Sequence, residues 1–261
     1  MGSFFVDLWG YKTGLTVMAA LSSVGVLLVL TLGKTMARSR AEHAHPEGAA
    51  GSSELGRFQP ELSPTICNAA GFTNSFVGAG LIVSSLSLIL QQRIGDEVHL
   101  GPVALGIATI SGLVLAVRWA SNLVVSPVTG KIIDAMGRRR PFLALVSAMT
   151  ALLIAFAATK NPVITVISAC LLFVAGNALE VLLDAAIGDA AGTETNRNAR
   201  ISQYTSFYDL GAATAPMVGY AIGVRFGFIV PFYLGALLMA LVIALYIAER
   251  AAARRTSAVG R

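Results

Sequence analysis

The sequence predicts an all-α integral membrane protein with seven transmembrane helices, and three observations carry that prediction. Hydrophobic residues make up 55% of the 261 positions and charged residues 13%, with a mean hydropathy of +0.72; soluble domains carry about 25% charged residues. Seven stretches reach the roughly 20 mainly apolar residues that a bilayer-spanning helix needs: residues 14–33, 64–90, 102–130, 141–158, 162–187, 202–224 and 229–248. The basic residues between them alternate in density from one connection to the next, the pattern that fixes membrane orientation.

The first stretch is expected to be a retained helix, so that residues 1–33 form an N-terminal transmembrane segment. Residues 1–11 lack a basic start, and no Ala-x-Ala site follows closely, which argues against a cleaved signal peptide. Residues 34–63 are rich in Ala, Gly, Ser, Glu and His and read as a flexible cytoplasmic linker. Residues 64–248 hold the six further helices, and 249–261 form a basic cytoplasmic tail. Pro64, Pro102, Pro141 and Pro162 open four of the stretches, where a missing N–H costs little.

One set of connections holds fourteen basic residues: Lys34, Arg38, Arg40, Arg57, Lys131, Arg138, Arg139, Arg140, Arg197, Arg200, Arg250, Arg254, Arg255 and Arg261. The opposite set holds four, Lys12, Arg93, Lys160 and Arg225. The richer side is expected to face the cytoplasm, with the N-terminus outside and the C-terminus inside. The net charge of +5 thus reflects cations at helix ends, whose partner is the lipid bilayer and not nucleic acid.

Residues 130–140 read as a short, strongly basic turn between two membrane helices. Gly130 is expected to allow close backbone approach, Asp134 to cap a nearby helix start, Gly137 to permit the reversal, and Arg138, Arg139 and Arg140 to hold the turn at an anionic surface. The spacing Gly-x-x-x-Asp-x-x-Gly-Arg-Arg resembles the loop signature of the major facilitator superfamily of secondary transporters. A second resemblance runs from Asp184 to Tyr220, where Ser-Gln-Tyr-Thr-Ser-Phe-Tyr-Asp-Leu-Gly-Ala-Ala-Thr-Ala-Pro-Met-Val-Gly-Tyr is similar to that family's penultimate helix. The layout after residue 64 resembles the C-terminal six-helix half of such a transporter, built of three-plus-three inverted repeats. Stretch 14–33 then matches the last helix of the first half, and the first five helices are absent.

The resemblance implies alternating-access transport of a small-molecule solute, with Gly130, Asp134, Gly137, Arg138 and Arg139 acting as a conformational latch on the other half. It also implies a partner, either a separate N-terminal half or a second copy of this chain. A non-transporting scaffold or regulator with the same fold, and a truncated inactive product, are the other readings.

Ionisable groups at membrane depth face a cavity or a partner. Arg118, Glu180, Asp184 and Asp209 are the candidates. Helical phase puts Ser111, Arg118 and Asn122 on one stripe, Asn177, Glu180 and Asp184 on another, and Ser202, Thr205, Asp209, Pro216 and Tyr220 on a third. Asn74, Gly78 and Ser85 share a face in stretch 64–90. Together they are expected to line a substrate or proton pathway, or to hold the bundle by interhelical hydrogen bonds. Arg118 is expected to pair with Glu180 or Asp209, and Glu180 and Asp209 to carry any proton coupling. Trp119 is expected either to pack or to line the cavity.

The opposite face of stretch 202–224 carries Gly211, Ala215, Gly219 and Gly223, a small-residue seam suited to close helix packing. Cys67 and Cys170 lie in apolar runs without metal-like neighbours and read as buried free thiols. His43, His45 and His99 do not form a metal-ligand pattern. No nucleophile elbow or phosphate-cradling loop appears, so neither an enzyme nor a cofactor is expected.

Overall fold

The computed structural model describes residues 61–95, 97–100, 103–190 and 194–259. The first expected helix, 14–33, and nearly all of the 34–63 linker lie outside the described residues.

The first rod starts at α1 (Pro64–Ser75). Ser63 caps it by accepting a hydrogen bond from the Ile66 N–H at 3.2 Å, and Pro64 occupies the first turn, where no intrahelical donor is missed. The rod continues as a π-helical stretch, Phe76–Ile82, and then as α2 (Val83–Ile94), ending at Gly95 with φ +90°. The π stretch was not foreseen. It holds Gly78 and Gly80, which weaken the ordinary helix at that point.

A small antiparallel hairpin follows, β1 (Glu97–Leu100) with β2 (Val103–Gly106), in the register Glu97 opposite Gly106 and Leu100 opposite Val103. The expectation that Pro102 opens a helix is therefore corrected. The Gly101–Pro102 pair is a turn signal with β-branched valines on both sides, and the helix waits until Gly106 has been passed.

Next comes α3 (Ile107–Met136), with Pro127 inside it. Thirty residues at about 1.5 Å each exceed the roughly 30 Å hydrocarbon core. Gly130 and Asp134 thus belong to the helix, and the expected eleven-residue turn contracts to Gly137 and Arg138. Gly137, with φ +72°, makes the reversal. After it run α4 (Arg139–Ala158), α5 (Pro162–Ala190), α6 (Glu194–Phe226) and α7 (Val230–Val259). Asn161 opens α5 by accepting from the Val163 N–H at 2.9 Å. Pro141 sits on the third residue of α4, so it does not open the helix as expected.

Among the described residues, five rods are long and apolar enough to cross a membrane: Pro64–Arg93, Ile107–Met136, Arg139–Ala158, Pro162–Ala190 and Val230–Arg255. The sixth, α6, has the length but dilutes its apolar run with Asp209, Thr214, Pro216, Tyr220 and glycines.

The core lies among α1, α2, α4, α5 and α7. Phe142, Met149, Leu153, Phe156 and Phe232 are fully enclosed, and the Phe156 and Phe232 rings meet at a tilt, 4.7 Å between centroids. Arg93, at the end of α2, bonds the Phe156 carbonyl at 3.0 Å and Thr165 Oγ1 at 2.5 Å. It thereby closes the last turn of α4, whose carbonyls have no helical partner. The faces left open belong mainly to α3 and α6. Trp119, Leu123 and Val124 are exposed on α3, and Leu210, Met217, Tyr220 and Val224 on α6.

α6 lies along the first rod with its small-residue face inward. Gly211, Ala215, Gly219 and Gly223 are all buried. A methyl added at Gly211 would run into the Phe72 carbonyl, one at Gly80 into Ala215, and one at Gly219 would come within 2.6 Å of Leu81. Gly223 instead makes room for the Phe228 ring after the helix turns. At Gly211 and Gly80 the distances place backbone against backbone, the contact that small residues allow.

Candidate functional site

The polar residues gather where α1, α3, α5 and α6 meet. On α5, Asn177, Glu180 and Asp184 stand one turn apart. On α6, Tyr204 and Tyr208 have the same one-turn spacing and face them. The Tyr208 hydroxyl donates to Glu180 Oε2 at 3.0 Å. One turn away the Tyr204 hydroxyl lies beside Asp184 but closes no hydrogen bond. The two tyrosine rings are 6.4 Å apart. A side chain at Gly71 would collide with Tyr204 Cε2 at 2.6 Å, so α1 holds that ring against α5. The result is a two-rung ladder of carboxylates and phenols between α5 and α6.

Asn177 ties the ladder to α3. Its Nδ2 donates to the Arg118 carbonyl at 2.9 Å and to Ser121 Oγ at 2.8 Å. Asn74 of α1 donates to the Gly176 carbonyl at 3.1 Å, leaving its own buried Oδ1 without a partner. A buried acceptor of this kind costs about 1–3 kcal/mol when unmet, so it is a ready contact for a bound donor.

Arg118 does not form the expected ion pair. Its guanidinium lies over the Trp119 and Phe173 rings, 5.6 and 5.5 Å from their centroids. It nevertheless lines the same cleft as Glu180, Tyr208, Asn74 and Asn177, a narrow one with a volume of only about 10 Å³. The aromatic faces supply part of the compensation that a carboxylate was expected to supply. Asp209 is exposed and pairs with no cation among the described residues. The reason is helical phase: with Tyr208 turned toward α5, the next residue points about 100° away, onto the open face. The whole stripe Ser202, Thr205, Asp209, Pro216 and Tyr220 lies on that face. Asn122 is half-buried one turn beyond Arg118, and Trp119 is 70% exposed.

The basic turn is organised differently from expectation. Asp134 is exposed within α3 and forms no hydrogen bond among the described residues, so it does not cap the adjacent helix. Glu61 does. Its Oε2 accepts from the Arg138 N–H at 2.6 Å and the Arg139 N–H at 3.2 Å, at the positive end of α4. Gly137 leaves room for this carboxylate, since a Cβ there would come to 3.0 Å from Glu61 Oε1. Arg138 reaches Asp189 on α5 at 2.5 Å, the one ion pair among the described residues. Gly130 has open space where a Cβ would stand, so the expected close approach is absent.

Tyr204, Tyr208, Glu61 and Asp189 were not singled out from the sequence. The i, i+4 match between Glu180/Asp184 and Tyr204/Tyr208 was the available signal for the first two. Glu61 and Asp189 had none, because their partners are 77 and 51 positions away.

The family model described as Major Facilitator Superfamily matches residues 72–260. The multidrug resistance protein MdtG of Erwinia billingiae (strain Eb661) is 31% identical over 169 residues, covering 62% of this chain and 38% of that protein. The MdtG proteins of Rahnella sp. (strain Y9602) and Salmonella typhimurium (strain LT2) are 30% and 31% identical over 165 and 162 residues. These matches cover 62% and 61% of this chain, and 38% of each relative. The chain thus spans 38% of the length of the relatives it matches.

Proposed function

This chain belongs to the Major Facilitator Superfamily, and we propose that it supplies the C-terminal six-helix half of an alternating-access transporter for small solutes. The observation that carries this reading is the Glu180–Tyr208 and Asp184–Tyr204 ladder, which lies beside Arg118 and next to the open faces of α3 and α6. Charged groups at membrane depth are stable only beside a cavity or a partner. A second half seated on α3 and α6 would close that cavity around Asn122, Asn177, Glu180, Asp184 and Asp209. The relatives' name, multidrug resistance protein, suggests amphiphilic compounds as the solute. Carboxylates, phenols and the exposed Trp119 suit an apolar cation.

In this reading the basic turn is the latch. Glu61 and Asp189 hold Arg138 and Arg139 within the half, while the outward-facing Asp134 is left for the helix start of the other half. Gly130 and Gly137 flank that contact. The partner is a separately made N-terminal half, and a second copy of this chain is the alternative. The chain alone is therefore expected to give no solute flux in proteoliposomes, and flux is expected to return when an N-terminal half of a relative is co-purified with it. Robust flux from a strictly monomeric preparation would refute the reading.

The orientation is set by the basic end of the bundle, which faces the cytoplasm in this proposal. A cysteine replacing Arg255 is expected to react with a membrane-impermeant maleimide only after the cells are opened. Labelling of intact cells would reverse the topology.

A further inference from the structure

A recess at the basic end of the bundle lies outside the ladder and borders the basic turn, with which it shares Glu61 and Arg139. It is formed by the start of α1, the start of α4 and the end of α7, is open to its surroundings, and has a volume of about 410 Å³. Three arginines converge on it, Arg139, Arg250 and Arg254. None of them forms an ion pair among the described residues. Arg139 uses only its Nε, toward the Glu61 carbonyl at 3.4 Å. Arg250 uses one terminal nitrogen, toward the Tyr246 hydroxyl at 3.3 Å, and is steadied over that ring at 5.8 Å. Two carboxylates also line the recess, but Glu61 is already committed to the backbone of α4. Glu249 alone opposes three guanidinium groups.

We infer that this recess binds the phosphate of an anionic phospholipid headgroup. Guanidinium groups present paired N–H donors that match phosphate oxygens, and free terminal nitrogens on three side chains give more donors than one phosphate needs. The depth is right for a lipid: the recess sits where the apolar run of α7 gives way to Glu249, Arg250 and Arg254. The flank below it is right as well. Ile247 shares the helix face of Arg250 and Arg254 and is 58% exposed, and Ile243, one turn lower on that face, is half-buried. A headgroup held by the arginines would lay an acyl chain along these residues. A soluble phosphate would use the arginines but gain nothing from that apolar flank.

This inference rests only on the chain spanning a bilayer and does not depend on transport. The full chain in detergent would be titrated with palmitoyl-oleoyl phosphatidylglycerol, phosphatidylcholine of the same chains, and inorganic phosphate, with bound lipid read by native mass spectrometry and thermal unfolding. Phosphatidylglycerol is expected to bind and raise the melting temperature. At about 1 kcal/mol per basic residue near a membrane surface, Arg254→Gln is expected to weaken binding about fivefold, and the triple variant Arg139→Gln/Arg250→Gln/Arg254→Gln about 100-fold. The matched triple variant Lys131→Gln/Arg140→Gln/Arg255→Gln, outside the recess, is expected to keep most of the affinity. Equal loss in both triple variants would mean diffuse surface attraction and overturn the site. Equal binding of phosphatidylcholine would overturn its anion selectivity, and an equal shift with inorganic phosphate would overturn the lipid assignment. Arg254 is exposed and unpaired among the described residues, so its single variant is expected to fold even if the triple does not.

Discussion

Gly211→Leu is expected to break the bundle, lowering stability by about 3 kcal/mol or more and turning a monodisperse detergent preparation into aggregate. The atoms that would meet the new side chain are the Phe72 carbonyl and the Phe76 nitrogen, which are backbone and cannot rotate away. Either α6 leaves the first rod or that rod bends at its π stretch. The same separation would pull Tyr204 and Tyr208 from Asp184 and Glu180, so the seam and the ladder fail together. Gly130→Ala provides the contrast. Nothing lies within 4 Å of its added methyl, and a glycine inside a helix costs about 1 kcal/mol relative to alanine. Its melting temperature is expected to stay level or rise. Thermal unfolding followed by size-exclusion chromatography separates the two. A Gly211→Leu chain as stable as the parent would show that α6 does not pack as described.

The second large effect concerns coupling. In a transporter completed with its first half, Glu180→Gln is expected to cut pH-gradient-driven transport about tenfold or more while leaving solute binding measurable. A carboxylate that exchanges a proton with the cycle must sense a changing environment, and Glu180 has the means. It is half-buried, it accepts the Tyr208 hydrogen bond, and it shares its cleft with the Arg118 guanidinium. Hydrogen bonds to charged groups contribute about 1.5–3 kcal/mol, so Tyr208→Phe is expected to weaken coupling by about tenfold through loss of one such bond. Asp209→Asn is the companion variant, since Asp209 stands on the open face where the other half would sit. Coupling that survives Glu180→Gln and Asp209→Asn alike would remove these carboxylates from the proton path.

The ladder and the cap also show what hydropathy and spacing leave out. The helical phase of α5 put Asn177, Glu180 and Asp184 on one stripe without any structure. It did not say what faces them, because the facing residues belong to α6 and tyrosine reads equally well as an interface anchor. Arg118 was expected to seek a carboxylate because Coulomb attraction is the obvious compensation for a buried charge. In the fold it takes two aromatic faces, one of them its own neighbour Trp119, at lower desolvation cost to its surroundings. Asp134 looked like the cap of the basic turn because it is the nearest acid in sequence. The cap is Glu61, which stands just before the first rod and 77 positions from its partner.

The sequence by itself determined that the chain lives in a bilayer, roughly where five of its apolar rods fall, which of their ends are basic, and that a reversal occurs at Gly137. These are local properties: hydropathy summed over one turn after another, charge at a rod's end, and the single residue type that takes a positive φ without strain. Only the tertiary structure decided that α6 lies against the first rod with Gly211 on Phe72, that Tyr208 meets Glu180, that Asp209 does not meet Arg118, and that Glu61 closes α4. Each of these depends on the rotation of one helix about its axis relative to another. That rotation is fixed by side-chain volumes and backbone contacts between residues far apart in sequence, and a shift of one residue turns a side chain by about 100°.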